Sequence, residues 1–141
     1  MKKKKDIHKK QVFMIEATPY GQQCVVVING KFKDIEDWFK KYATEKGKRV
    51  LEHIEENRNS YEEEDANNLG RLYQNFPIGF AMTINTDRES WIETVGLVAH
   101  ECFHLTSYIF RRVGIDLTIE SEEAFTYLQQ NLITQILRKI Y

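Results

Sequence analysis

A chain of 141 residues, 42% hydrophobic and 29% charged, has the size and composition of one soluble globular domain with a single sizeable core. Its net charge of -1 argues against general electrostatic binding to nucleic acid. Two cysteines, Cys24 and Cys102, are too few for a disulfide scaffold and point to a reducing, intracellular setting. Residues 1–10 read as a basic, solvated tail, with Lys2, Lys3, Lys4, Lys5, Lys9 and Lys10. Asp6, His8, Lys9 and Lys10 interrupt any apolar stretch there, so no signal peptide is expected, and no run is long enough to span a bilayer.

A single domain over 11–141 then begins with two strands, Gln11–Glu16 and Cys24–Asn29, rich in β-branched and aromatic residues. Thr18-Pro19-Tyr20-Gly21 between them supplies turn chemistry and predicts a hairpin. Ile35, Trp38, Phe39 and Tyr42 recur at helical spacing behind Asp34, the expected N-cap, and Gly47 is expected to break or kink that helix. Val50, Leu51 and Ile54 continue an apolar stripe on a further helix. Residues 57–69, dense in Asn, Glu and Asp, read as an exposed mobile loop or a frayed helix, without the Asp/Asn and Gly spacing of a calcium loop.

Gly79–Asn85 reads as a strand, and Thr86-Asp87-Arg88-Glu89 has the form of a capping box opening the next helix. That helix is apolar from Trp91 to Ala99, and Gly114 is its expected stop. A last helix is predicted over about 121–139, with Ala124, Leu128, Leu132, Ile136 and Ile140 as its apolar stripe. The fold class expected is α+β, a small and mostly antiparallel sheet packed on long C-terminal helices.

Within the first of those helices, residues 100–104 read His-Glu-Cys-Phe-His. The two histidines stand one helical turn apart on one face, which lets a rigid element give zinc two nitrogen ligands. A chance match from this composition has a likelihood of about one per cent, so a pair of core or surface histidines is the weaker reading. Glu101 adjoins His100 and can reach water at such a metal. Cys102 projects to another side of the helix and is expected in the core. Glu123, after eighteen intervening residues, is well placed as a third ligand. The motif is expected mid-helix and shielded by packing, and Zn2+ is the expected cofactor. His8 and His53 lie among charged residues and read as surface positions.

His100-Glu101-x-x-His104, eighteen residues and Glu123 together resemble the gluzincins, the zinc peptidases that include thermolysin and aminopeptidase N. The gap and the segment Glu122-Glu123-Ala124-Phe125-Thr126 look like the aminopeptidase N branch, with Glu123 at the ligand position. The resemblance covers residues 95–127 and implies a zincin-like minimal domain. The Gly-x-Met-Glu-Asn motif of the aminopeptidases is absent, so recognition of a free amino terminus is not carried over. In size, and in its Glu123-Ala124-Phe125-x-Tyr127 helix, the chain resembles small metallopeptidase-like proteins of phages and prophages. Ser107 and Phe110 stand where metzincins have glycine and histidine, which excludes that class.

The chemistry implied is endopeptidase-like hydrolysis of a peptide or protein, with zinc held by His100, His104 and Glu123 and Glu101 as general base. Tyr127, one turn beyond Glu123, is the first candidate to steady the developing oxyanion, and Tyr108 the second. Glu93, Asp116 and Glu120 are open alternatives for orienting the histidines. The strand over 79–85 is the expected edge on which an extended substrate would align. The competing expectation is a non-catalytic structural or interaction protein, such as a phage particle component, that retains zinc. Binding of nucleic acid through the lysine tail ranks third, and no membrane partner is expected.

Overall fold

The computed structural model describes residues 8–42, 45–60, 70–76, 79–86 and 90–141. Strands β1 (Gln11–Ala17) and β2 (Gln22–Ile28) form the expected hairpin, in register from Gln11↔Ile28 to Ala17↔Gln22. The turn closes through the Tyr20 N–H, which donates to the Ala17 carbonyl at 2.8 Å. Gly21 there has φ +65°, a conformation that costs glycine little. The Thr18–Pro19 peptide is cis.

Helix α1 (Phe32–Lys41) starts one turn earlier than expected, with Lys31 at the N-cap and Asp34 as the third helical residue. The Asp34 carboxylate reaches back to accept the Lys31 N–H at 2.8 Å, and its other oxygen takes Lys10 at 2.7 Å. An acidic side chain in this position satisfies an otherwise unpaired donor as well as an N-cap would. Gly47 is not the break: α1 ends at Lys41 with Tyr42 as its C-cap, and Gly47 lies inside α2 (Glu45–Glu56). Burial of Val50 and Ile54 offsets the roughly 1 kcal/mol that a helical glycine costs. Residues 58–60 are helical, the second of the two expectations for this segment, and Arg58 pairs with Glu55 at 2.6 Å and Glu36 at 3.0 Å. The remainder of that segment, 61–69, lies outside the described residues.

Strands β3 (Gly70–Phe76) and β4 (Gly79–Ile84) complete a sheet of order β1-β2-β4-β3. β2 and β4 are parallel, and the other two pairings are antiparallel. The strand expected at the edge, β4, is internal, and β3 is the edge beside it. All six residues of β4 are buried, because a central strand covered on both faces loses its polar side.

One face of the sheet presents Phe13, Ile15, Cys24, Val26, Phe80 and Met82 to helices α3 (Trp91–Arg112) and α4 (Glu122–Ile140). The other presents Val25, Val27, Tyr73 and Ala81 to α1 and α2. The α+β class is as expected, with a second helical layer behind the sheet.

The N-cap of α3 is Ser90; residues 87–89 of the expected capping box lie outside the described residues. Thr86 is buried against Asn29 instead: its N–H donates to Asn29 Oδ1 at 2.6 Å, and its hydroxyl to the same oxygen at 2.9 Å. Gly114 ends the helix as expected, at φ +76°. The Ile115 N–H reaches the Phe110 carbonyl at 2.8 Å and the Gly114 N–H the Arg111 carbonyl at 3.3 Å, closing the orphan acceptors. No helix among the described residues is long and apolar enough to cross a membrane.

Candidate metal centre

Helix α3 is sorted by its 100° step into distinct faces. Val98, Cys102, Leu105 and Ile109 form the stripe that the sheet and α4 bury. His100 and His104 fall on the opposite side, and both are exposed. The packing expected to shield the motif therefore covers Glu101 and Cys102 only. The reason is periodicity: a stripe that buries 98, 102 and 105 turns 100 and 104 outward.

The two imidazoles converge. Their Nε2 atoms stand 3.1 Å apart, with the rings edge to face at 4.8 Å. Two nitrogens bound to one tetrahedral zinc at about 2.05 Å would be about 3.3 Å apart. The pair thus has the spacing of two ligands of a single ion. Among the described residues, no third His, Cys, Asp or Glu joins them at metal-binding distance.

Glu101 leans the other way, towards the edge strand. It is 5% exposed, and a Cβ built on Gly70 would lie 2.9 Å from its Oε1 and 3.0 Å from Leu97 Cδ1. Glycine at the start of β3 is what lets the strand pass this close. Burial pushes the Glu101 carboxyl above its ordinary range, and the two histidines oppose that shift. Cys102 is fully buried, as expected. Burial, helped by the neighbouring Glu101 charge, pushes its thiol up to about 12, so it is no thiolate ligand. Cys24 is buried in the same cluster.

On α4 the buried stripe is Phe125, Leu128, Leu132, Ile136 and Ile140; Ala124, expected in it, is exposed. Glu123 precedes Phe125 by two residues, which turns it about 160° from the stripe. Glu122 is only about 60° away, yet it too is exposed. Tyr127, one turn beyond Glu123 on the same outward face, is 64% exposed. Tyr108 is half-buried against the core, with the Arg111 guanidinium 5.4 Å over its ring. α4 is held against the motif by Phe125, whose ring centre is 5.4 Å from Phe103, and by Gln129, which donates to the Ala99 carbonyl at 3.5 Å.

Of the expected orienting carboxylates, Glu93, Asp116 and Glu120 are all exposed, and Glu120 is held below its usual range by a hydrogen bond from Thr118. Sequence reasoning missed Gly70 and Phe103. Only a glycine directly before the Arg71-Leu72-Tyr73 strand hinted at the first. No family model, curated protein or solved structure matches the chain. The functional reading therefore stands on the chain's own residues.

Proposed function

We propose that this chain is a zinc-dependent peptidase. The observation that carries the reading is the 3.1 Å convergence of two imidazole nitrogens one residue and three residues from a buried glutamate. Two ligands and a sheltered carboxylate are what metal-assisted hydrolysis needs from one helix. His100 and His104 would hold the ion, with Glu123 as the third ligand. The Glu123 side chain is exposed, and no ion pair among the described residues engages it. A zinc ion supplies Lewis acidity, making water a stronger acid and the scissile carbonyl a better electrophile.

Glu101 does the proton work. Its carboxylate takes a proton from the attacking water as the oxygen–carbon bond forms. It then gives that proton to the departing nitrogen as the carbon–nitrogen bond breaks, leaving an acid and an amine. Its burial keeps bulk water from competing for the proton. Strand β3, at the sheet edge and against Glu101, offers backbone donors and acceptors to an extended peptide. Tyr127 remains the first candidate for the oxyanion and Tyr108 the second.

A second reading is a non-catalytic protein that keeps a metal at the histidine pair. One experiment separates the two. Metal analysis of the purified chain should give one zinc, and wild type should cleave an unbiased peptide library. Glu101→Gln should retain the zinc and lose at least about 100-fold in rate, since an amide cannot accept the proton. Glu123→Gln should weaken zinc binding while Glu122→Gln should not. Bound zinc with no cleavage of any peptide would leave the non-catalytic reading standing.

A further inference from the structure

Arg111 stands on the same face of α3 as His100 and His104, seven residues and about 10 Å of helix axis beyond the second histidine. Its guanidinium lies 5.4 Å over the ring of Tyr108, three residues back, so the side chain is directed towards the histidines. No ion pair among the described residues engages it. Arg58, by contrast, meets two carboxylates, and Arg112 meets the Gly79 carbonyl. Arg111 and Ser107 line a cavity of about 340 Å3, to which the turn after Gly114 contributes Ile115 and Asp116. That turn is fixed: the Ile115 N–H donates to the Phe110 carbonyl at 2.8 Å, and the Ser121 hydroxyl to the Asp116 carbonyl at 2.6 Å.

The polar groups of this cavity define what it can take. A guanidinium donates as a planar fork and matches the two oxygens of a carboxylate. The Ser107 hydroxyl donates to the Phe103 carbonyl at 2.9 Å, which leaves its oxygen as an acceptor. The Asp116 carboxylate, also outside any ion pair among the described residues, is an acceptor too, and it repels a bare anion. A ligand that fits carries a carboxylate with an N–H donor close beside it. The last residue of a peptide has both on one α-carbon. An Asp or Glu side chain holds its carboxylate further from the nearest N–H.

We propose that this cavity binds the C-terminal carboxylate of a peptide substrate, with Arg111 as the specificity-determining residue. An extended residue spans about 3.4 Å, so a bond cut at the histidines lies within about three residues of that terminus. This rests on the peptidase reading above, and the test keeps the two apart. Backbone amide chemical shifts of the full chain are followed while N-acetylglycine, its uncharged amide, or propionate is added, the last standing in for an acidic side chain. N-acetylglycine should give saturable shifts at Ser107, Arg111 and Asp116, at concentrations at least about tenfold below either of the others. The shifts should survive EDTA, which removes ligation of a metal as their cause. Arg111→Gln should abolish them, and Arg111→Lys, which keeps the charge and loses the fork, should weaken them.

Peptides of one sequence that end in a free acid should be cleaved with a kcat/KM about tenfold above those that end in an amide, and Arg111→Gln should erase that ratio. Saturable binding of N-acetylglycine without hydrolysis of any peptide would support the carboxylate site and remove the peptidase reading. Propionate binding as tightly as N-acetylglycine, or shifts that persist in Arg111→Gln, would overturn the site. No saturable shift, together with cleavage that ignores the C-terminal group, would overturn it and leave the peptidase reading intact.

Discussion

Glu101 and Gly70 form the closest coupling in the candidate site, and it is a steric one. A methyl group on Gly70 would lie 2.9 Å from Glu101 Oε1, so either the carboxylate or the strand would have to move. Gly70→Ala should therefore lower the hydrolytic rate by about 10–100-fold, the usual effect of misplacing a reacting group by about an ångström. Zinc affinity should stay at the wild-type value, because a methyl group on Gly70 meets Glu101 and Leu97 rather than either histidine. Metal titration alongside kcat measurement checks this; a fall in zinc affinity matching the loss in rate would show that the strand supports the whole site.

This contact also marks what a sequence reader can see. His100, Glu101 and His104 are visible because their chemistry and their spacing sit on one element. Gly70 is not, because its role arises from a strand thirty-one residues upstream that meets the helix only in the folded chain. The outward turn of Glu123 was hidden for a similar reason. Ala124 and Phe125 are both apolar neighbours, and only packing against Phe103 and Phe110 selects Phe125 for the core.

At the level of elements, long periodic segments were legible and their ends were not. The helices over 91–112 and 122–140 were readable from apolar spacing, whereas Asp34 and Thr86 were assigned to caps that Lys31 and Ser90 occupy. A carboxylate near a helix start has several backbone donors within reach, and sequence does not say which it takes. The layer formed by α1 and α2 is tied to the segment after it by charge. Arg58, with help from Lys40, pulls the Glu36 carboxyl down to about 2. The sign follows from linkage. A folded value below the unfolded one, about 4.3, gives stability that is complete above that pH and is lost as pH falls towards 2.

Glu36 is nearly buried, but its partner Arg58 is about a third exposed, so solvent screening cuts the effect well below that of a fully buried pair. Arg58→Ala should lower stability at pH 7, and the gap from wild type should narrow between pH 4.5 and 2.5. Urea unfolding across this range measures it. A gap that stays constant with pH would mean that Arg58 acts through packing alone.

Across the whole molecule, the sheet separates two cores, and only one of them supports the candidate site. The face built on Cys24, Val26, Phe80 and Met82 meets α3 and α4, while the face built on Val25, Val27 and Ala81 meets α1 and α2. Zinc binding by His100 and His104 with Glu123 would need α3 and α4 held at a fixed spacing. Leu132, fully buried in the first core, lies on α4. Ile54, equally buried in the second, lies on α2 across the sheet. Truncation of either to alanine removes similar apolar bulk and should cost about 2–4 kcal/mol. Their effects on the metal should differ. Leu132→Ala leaves a void under α4 and should weaken zinc binding about tenfold or more, through the loss of a well-fixed third ligand. Ile54→Ala should melt earlier by a similar amount and bind zinc as wild type does. Both affinities are to be read well below the melting temperature of either variant, with His104→Ala as the control for loss of a ligand. Equal zinc affinity in the two core variants would mean that the histidine pair alone sets the binding strength, and that α4 contributes no ligand.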